Sequence, residues 1–142
     1  MGILSFLSDD HRHCDALFAD AETAVSDARW ADAASDFAQF LTRMRHHFAM
    51  EEQVLFPAFE SATGMTMGPT QVMRSEHTQM NAVLDAMQAA LSQQKATAYL
   101  DQGETLLMLM SQHNLKEEQI LYPMCSRHLN DAALVARMQE LA

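Results

Sequence analysis

The chain has 142 residues, 49% of them hydrophobic, which is long enough for a real core and too apolar for disorder. Its formal net charge of −10 leaves no basic surface to neutralise phosphates, which argues against nucleic acid and anionic membrane as partners. With only 4 Gly and 3 Pro it has few tight turns, and the composition predicts one all-α domain over residues 1–142.

Residues 1–7 read as an apolar arm packed on the domain, without the basic residues and long apolar run of a signal peptide. Ser8 suits an N-cap, and Asp9 and Asp10 suit the positive end of a first helix running to about residue 28. Its inward stripe is Leu7, His11, Cys14, Leu17, Phe18, Ala21 and Val25, with His13 roughly 200° away in projection. After a short connection at 29–31, a second helix covers about 32–60. Its stripe runs Phe37, Phe40, Leu41, Met44, His47, Glu51, Val54, Leu55 and Ala58, and Pro57 should kink or tighten its last turns.

The clear break is 61–69, where Gly64 can end one helix and Pro69 begin the next. The third helix covers about 69–94, with Met73, His77, Met80, Leu84, Met87 and Leu91 facing in. The fourth runs from about 97 to 125 on the stripe Leu106, Leu109, Met110, His113, Glu117, Ile120, Leu121 and Met124. Asn130 can cap a short terminal helix near 131–141. Short connections between long amphipathic helices predict two hairpins, about 8–61 and 69–126, in an antiparallel up-down-up-down four-helix bundle. No stretch is long and apolar enough to cross a bilayer.

One stretch occurs twice. His47 to Pro57 and His113 to Pro123 both read His-x-x-x-Glu-Glu-Gln-[Val/Ile]-Leu-[Phe/Tyr]-Pro, offset by 66 positions. The same offset carries Asp10-His11 onto Glu76-His77, Phe18 onto Leu84 and Met44 onto Met110, so the chain is two similar hairpins in tandem. His13 falls on Gln79 and His46 on Gln112, so neither has a counterpart. The matched polar set is His11, His47, His77 and His113 with Glu51 and Glu117.

A His and a Glu four apart lie on one helix face, where both reach a single ion. Burying an unpaired carboxylate costs several kcal/mol, so six such groups on inward faces would make a poor core. Two metal ions supply the missing counter-charge. Mixed imidazole and carboxylate donors suit iron, manganese or zinc, and offer calcium little. Glu52 and Glu118 read either as solvated residues or as outer partners of the histidines. His13, His46 and His128 read as surface or rim residues, and the methionines as core filler. Cys14 and Cys125 form no C-x-x-C and read as two reduced, small apolar residues of a cytoplasmic protein, a disulfide between them being the alternative.

From Asp10-His11 through Tyr122-Pro123 the pattern resembles the hemerythrin-like (HHE cation-binding) domain family, most strongly at His47…Glu51-Glu52 and His113…Glu117-Glu118. The resemblance implies a four-helix bundle around two iron ions bridged by an oxo or hydroxo group. It implies His11, His47, His77 and His113 as terminal ligands and Glu51 and Glu117 as bridging carboxylates. Glu118, about 100° round the helix, is the alternative to Glu117. Oxygen-carrying members have a fifth His one turn from the third-helix His, where this chain has Met73 and Asn81. His13 or a bidentate Glu would then complete the shell, unless both ions keep exchangeable positions. Three roles follow from the resemblance. One is binding of a small diatomic ligand, oxygen or nitric oxide, for storage or sensing. Another is iron holding or donation under stress. The third is a redox enzyme, for which no dedicated acid, nucleophile or substrate loop stands out.

Overall fold

The computed structural model describes residues 2–141. Apolar residues recurring every three to four positions wind the chain into helices throughout, and no strand occurs among the described residues. In order these are α1 (Ile3–Ser26), α2 (Trp30–Met50), α3 (Phe56–Thr63), α4 (Pro69–Ser92), α5 (Ala96–Lys116), α6 (Tyr122–His128) and α7 (Asp131–Glu140). A π turn over Glu51–Leu55 joins α2 to α3 in one rod, and a second over Glu117–Leu121 joins α5 to α6. The architecture is therefore four long rods and a short C-terminal helix. Helix α1 packs along α2 and α4 along α5, while α1 against α5 and α2 against α4 close the ring.

The start of α1 differs from the sequence expectation. Residues from Ile3 onward are helical rather than an arm, and Ser8 is a buried helical residue rather than the N-cap. Burial decides this. Ile3 and Leu7 are fully buried in a cluster with Leu134, Val135 and Met138 of α7. The first amide is satisfied from α7 instead, since Ile3 N–H donates to Asp131 Oδ2 at 2.9 Å. Met1 lies outside the described residues.

The two hairpin loops are copies of each other. Arg29 N–H donates to Ala24 O and Lys95 N–H to Ala90 O, both at 2.9 Å, and the residues before them, Ala28 and Gln94, take φ of 55° and 53°. This is a helix C-terminal motif that glycine ordinarily fills. Gly64 does so after α3, at φ 72°. Asn130 caps α7, accepting from Ala133 N–H at 3.0 Å.

Pro57 and Pro123 have no N–H to offer the helix, and the turn before each widens, where at Pro57 the sequence predicts a kink or a tightening. Phe56 N–H reaches back to Glu51 O, and Tyr122 N–H to Glu117 O. The extra residue rotates everything downstream. Tyr122 and Cys125 therefore face in, while Ile120 is 55% exposed and Met124 only half-buried. On the first copy Phe56 and Phe59 face in, and Ala58 is half-buried.

Two apolar clusters fill the interior. One, built around Phe18, Phe37, Phe40, Leu84 and Tyr99, lies toward the two hairpin loops. The other, around Leu55, Phe56, Phe59, Leu121 and Tyr122, lies toward α7. Where these clusters leave off, the interior is occupied by polar side chains.

Candidate metal centre

All six residues of the matched set point into the bundle and are buried: His11, His47, His77, His113, Glu51 and Glu117. Their donor atoms gather in two groups. Glu51, His77, His113 and Glu117 each offer an atom within 4.8 Å of the others, and so do His11, His47 and Glu117. Glu117 belongs to both groups, and Glu51, in the first, brings Oε1 to 3.1 Å from His77 Nε2 and also to 3.5 Å from His47 Nε2 of the second. Each hairpin thus supplies the two histidines of one group, His11 with His47 and His77 with His113.

Every histidine of the set is oriented the same way. Nε2 faces the centre, and Nδ1 bonds to an outer carboxylate. His47 Nδ1 lies 2.7 Å from Asp10 Oδ2, and His113 Nδ1 lies 2.8 Å from Glu76 Oε1. His11 Nδ1 lies 2.7 Å from Glu118 Oε2, and His77 Nδ1 lies 2.8 Å from Glu52 Oε2. A carboxylate on Nδ1 fixes the proton there and leaves Nε2 as a lone pair for a cation. Glu52 and Glu118 thus take the outer-partner role that the sequence leaves open for them. Asp10 and Glu76 take the same role without being singled out by the sequence reading, although each precedes a matched histidine and the repeat pairs them. Asp10 is anchored by Arg43, whose Nε donates at 2.6 Å, and Glu76 by Lys116. Those bases and the histidines overcome burial and hold both carboxyls below the usual carboxylate range.

Tyr122 is a further member that the helical periodicity does not reveal. Its hydroxyl, fully buried, donates to Glu51 Oε2 at 2.7 Å and lies 3.0 Å from Glu117 Oε1 and 3.2 Å from His11 Nε2. The motif's only signal is the Phe/Tyr alternation at this position. Its repeat partner Phe56 stacks on His77 as Tyr122 stacks on His11, at ring separations of 5.7 and 5.8 Å.

The remaining histidines do not join the centre. His13 is exposed and lines a groove between α1 and α2 with His46, so it does not complete the shell. His46 Nε2 lies 3.1 Å from the Leu141 carbonyl, and His128 is exposed. Met73, at a fifth-histidine position, is buried in the α7-side apolar cluster. Cys14 and Cys125 are free and buried, and burial pushes both thiols up to about 12.

The inner atoms test whether a metal fits. His47 Nε2, His77 Nε2, His113 Nε2, Glu51 Oε1 and Glu117 Oε2 are fully buried and have no hydrogen-bond partner. Orphaned buried polar atoms are costly and rare. Here they are all lone-pair donors converging on common points, which is the arrangement cations satisfy. Without a cation the centre is frustrated: burial and the neighbouring Glu117 raise the pKa of Glu51.

The family model for the hemerythrin HHE cation-binding domain matches residues 2–125. The chain belongs to that family. No curated protein and no solved structure matches the chain.

Proposed function

We propose that this domain holds two iron ions, bridged by an oxo or hydroxo group, and binds a small diatomic ligand, oxygen or nitric oxide, for storage or sensing. His11 and His47 would hold one ion and His77 and His113 the other, with Glu51 and Glu117 reaching both. Manganese or zinc would be compatible with the same imidazole and carboxylate donors. The observation that carries this reading is the convergence of buried, unpartnered Nε2 and carboxylate atoms from four helices. Iron held by these residues would offer open coordination positions and redox chemistry to a small diatomic ligand.

The protein's own residues do the rest. Asp10, Glu52, Glu76 and Glu118 hold the four imidazoles in one tautomer and orientation. The two apolar clusters on either side keep bulk water from the centre. Ligand entry is favoured beside His11, which lines a groove of about 310 Å³ with Ser111, Asn114, Leu115 and Glu118. At the equivalent place in the other half, Phe48 stacks on His77 at 4.1 Å and covers it.

Binding is favoured over turnover because the titratable groups near the ions are already committed. Each histidine Nδ1 is engaged by a carboxylate, and both thiols are held protonated by burial. The two free cysteines suit a cytoplasmic setting. Exposure of the anaerobically reduced, iron-loaded protein to oxygen tests the reading. A persistent and reversible visible charge-transfer band supports ligand binding. Release of iron marks iron handling instead, and rapid conversion to ferric product marks a redox enzyme.

A further inference from the structure

Two grooves flank the centre at places that the 66-residue repeat equates. One, of about 310 Å³, is lined by His11, Arg12, Asp15, Ser111, Asn114 and Glu118. The other, of about 490 Å³, is lined by Arg45, Phe48, Glu52, Asn81 and Asp85. The first reaches a histidine of the donor set, His11. In the second, His77 lies behind Phe48, whose ring stacks on it at 4.1 Å. Three differences between matched positions separate the grooves, and all act in one direction. Asn114, half-buried, stands where the second groove has the sealing Phe48. Ser111 stands where it has Arg45, and Asp15 where it has Asn81. The open groove thus has less bulk, one arginine fewer at a matched position and one carboxylate more. Its own arginine, Arg12, pairs with Asp9, while Arg45 of the sealed groove pairs with Asp85 at 3.2 Å. Among the described residues, neither Asp15 nor Glu118 has a lysine or arginine partner.

We propose that the groove beside His11 is the passage by which a divalent cation reaches the centre, and that its repeat counterpart is closed by Phe48. Asp15 is exposed on its wall, where an arriving cation meets it before the buried donors. Glu118 links the groove to the interior: its side chain is 34% exposed, and its Oε2 lies 2.7 Å from Nδ1 of the buried His11. Carboxylates lining a cleft between low-dielectric walls raise the local concentration of cations and their rate of entry, and they repel anions. Ser111 and Asn114 add neutral oxygen atoms that stand in for water as the ion sheds its hydration. The room they leave is what a phenyl ring fills at the matched position of the other half. Behind His11 lie the unpartnered inner atoms of the donor set, so the passage ends where a cation is held.

This inference rests on the two-metal reading above, and the test separates the two. Metal-stripped full-length wild type, Asp15→Asn, Ser111→Arg and Asn114→Phe are mixed with zinc in a stopped-flow instrument, with Arg45→Ser as the control in the sealed groove. A chromogenic chelator reports the rate of uptake, and metal analysis gives the final content. The three variants of the open groove are expected to take up zinc several-fold more slowly than wild type and to reach the same content. For Asp15→Asn and Ser111→Arg the slowing is electrostatic, up to about tenfold at low salt and fading at high salt. For Asn114→Phe it is steric and persists at high salt. Arg45→Ser is expected to match wild type, because Phe48 still closes that side. Asp15 and Ser111 are exposed, so these two variants decide the matter even where Asn114→Phe fails to fold. Wild-type rates in the open-groove variants at full metal content would overturn the passage and leave the two-metal centre standing. So would an Arg45→Ser effect as large as theirs. A wild type that binds no metal would overturn both.

Discussion

Asp10 Oδ2 lies 2.7 Å from Nδ1 of His47, with both side chains almost fully buried. The pairing is repeated by Glu76 and His113 at 2.8 Å in the second hairpin. Outer carboxylates of this kind typically carry about 10–100-fold of metal affinity. Asp10→Asn and Glu76→Gln should therefore each weaken metal binding by about 10–100-fold, measured by competition with a chelator, with near-normal helix content. Unchanged affinity in both would show that the imidazoles need no outer support.

The inner donors should separate by how many ions they touch. Glu117→Ala removes the residue common to both groups and should lose most of the bound metal. His77→Ala removes a donor from one group and should cost about one ion of two. His13→Ala and His46→Ala, which change residues lining the α1–α2 groove away from the gathered donors, should keep wild-type metal content. Metal analysis after gel filtration checks all four. Loss of metal in His13→Ala would contradict the donor set.

Metal-stripped protein should respond to pH in the opposite sense to metal binding. Burial opposes charge on His11 and His77, but Glu117 and Glu118 on the first, and Glu51 and Glu52 on the second, outweigh it and raise both to about 9 from 6.5. A folded pKa above the unfolded one gives stability that is full below pH 6.5 and lost as pH rises through about 9. His113 acts in the same direction. His47, lowered by burial, acts the other way and only below its unfolded value. The melting temperature of stripped protein should thus fall between pH 6.5 and about 9. Metal affinity should rise over the same range, because the imidazoles must lose their protons to ligate. Thermal melts with and without zinc across that range test both signs.

Ala28 and Gln94 hold left-handed backbone at the two hairpin loops. A non-glycine residue there costs roughly 1 kcal/mol. Gln94→Gly should therefore stabilise the protein by about 0.5–1 kcal/mol, read from chemical denaturation, with metal content unchanged. A destabilised Gln94→Gly would mean that the glutamine side chain contributes more than its backbone strain costs.

Much of the centre is legible in the sequence because the repeat filters accident. A single histidine such as His46 says little, but His11, His47, His77 and His113 matched at one interval select themselves. Helical periodicity places those residues inward, and they are inward. The same repeat matches Asp10 with Glu76 but does not reveal their role as outer partners, because a residue beside a histidine in sequence points to a different helix face. Its partner is on a neighbouring rod: Asp10 serves His47 and not His11.

What sequence does not supply is the phase after Glu51 and Glu117. Extrapolating α-helical turns places Ile120 and Met124 inward. The π turn adds one residue and brings Tyr122 and Cys125 there instead. Whether a helix widens before a proline depends on tertiary packing, which no local propensity encodes. For the same reason Ser8, a good cap by residue type, lies inside α1: the burial of Ile3 and Leu7 against α7 extends the helix beyond it.

The most direct test of the two-metal centre is metal content combined with the absorption spectrum of anaerobically reduced protein before and after oxygen. About two irons per chain are predicted, with a visible charge-transfer band that persists and reverses when oxygen is removed. Protein that binds neither iron nor any other metal would contradict it, leaving the converging histidines and glutamates without a function.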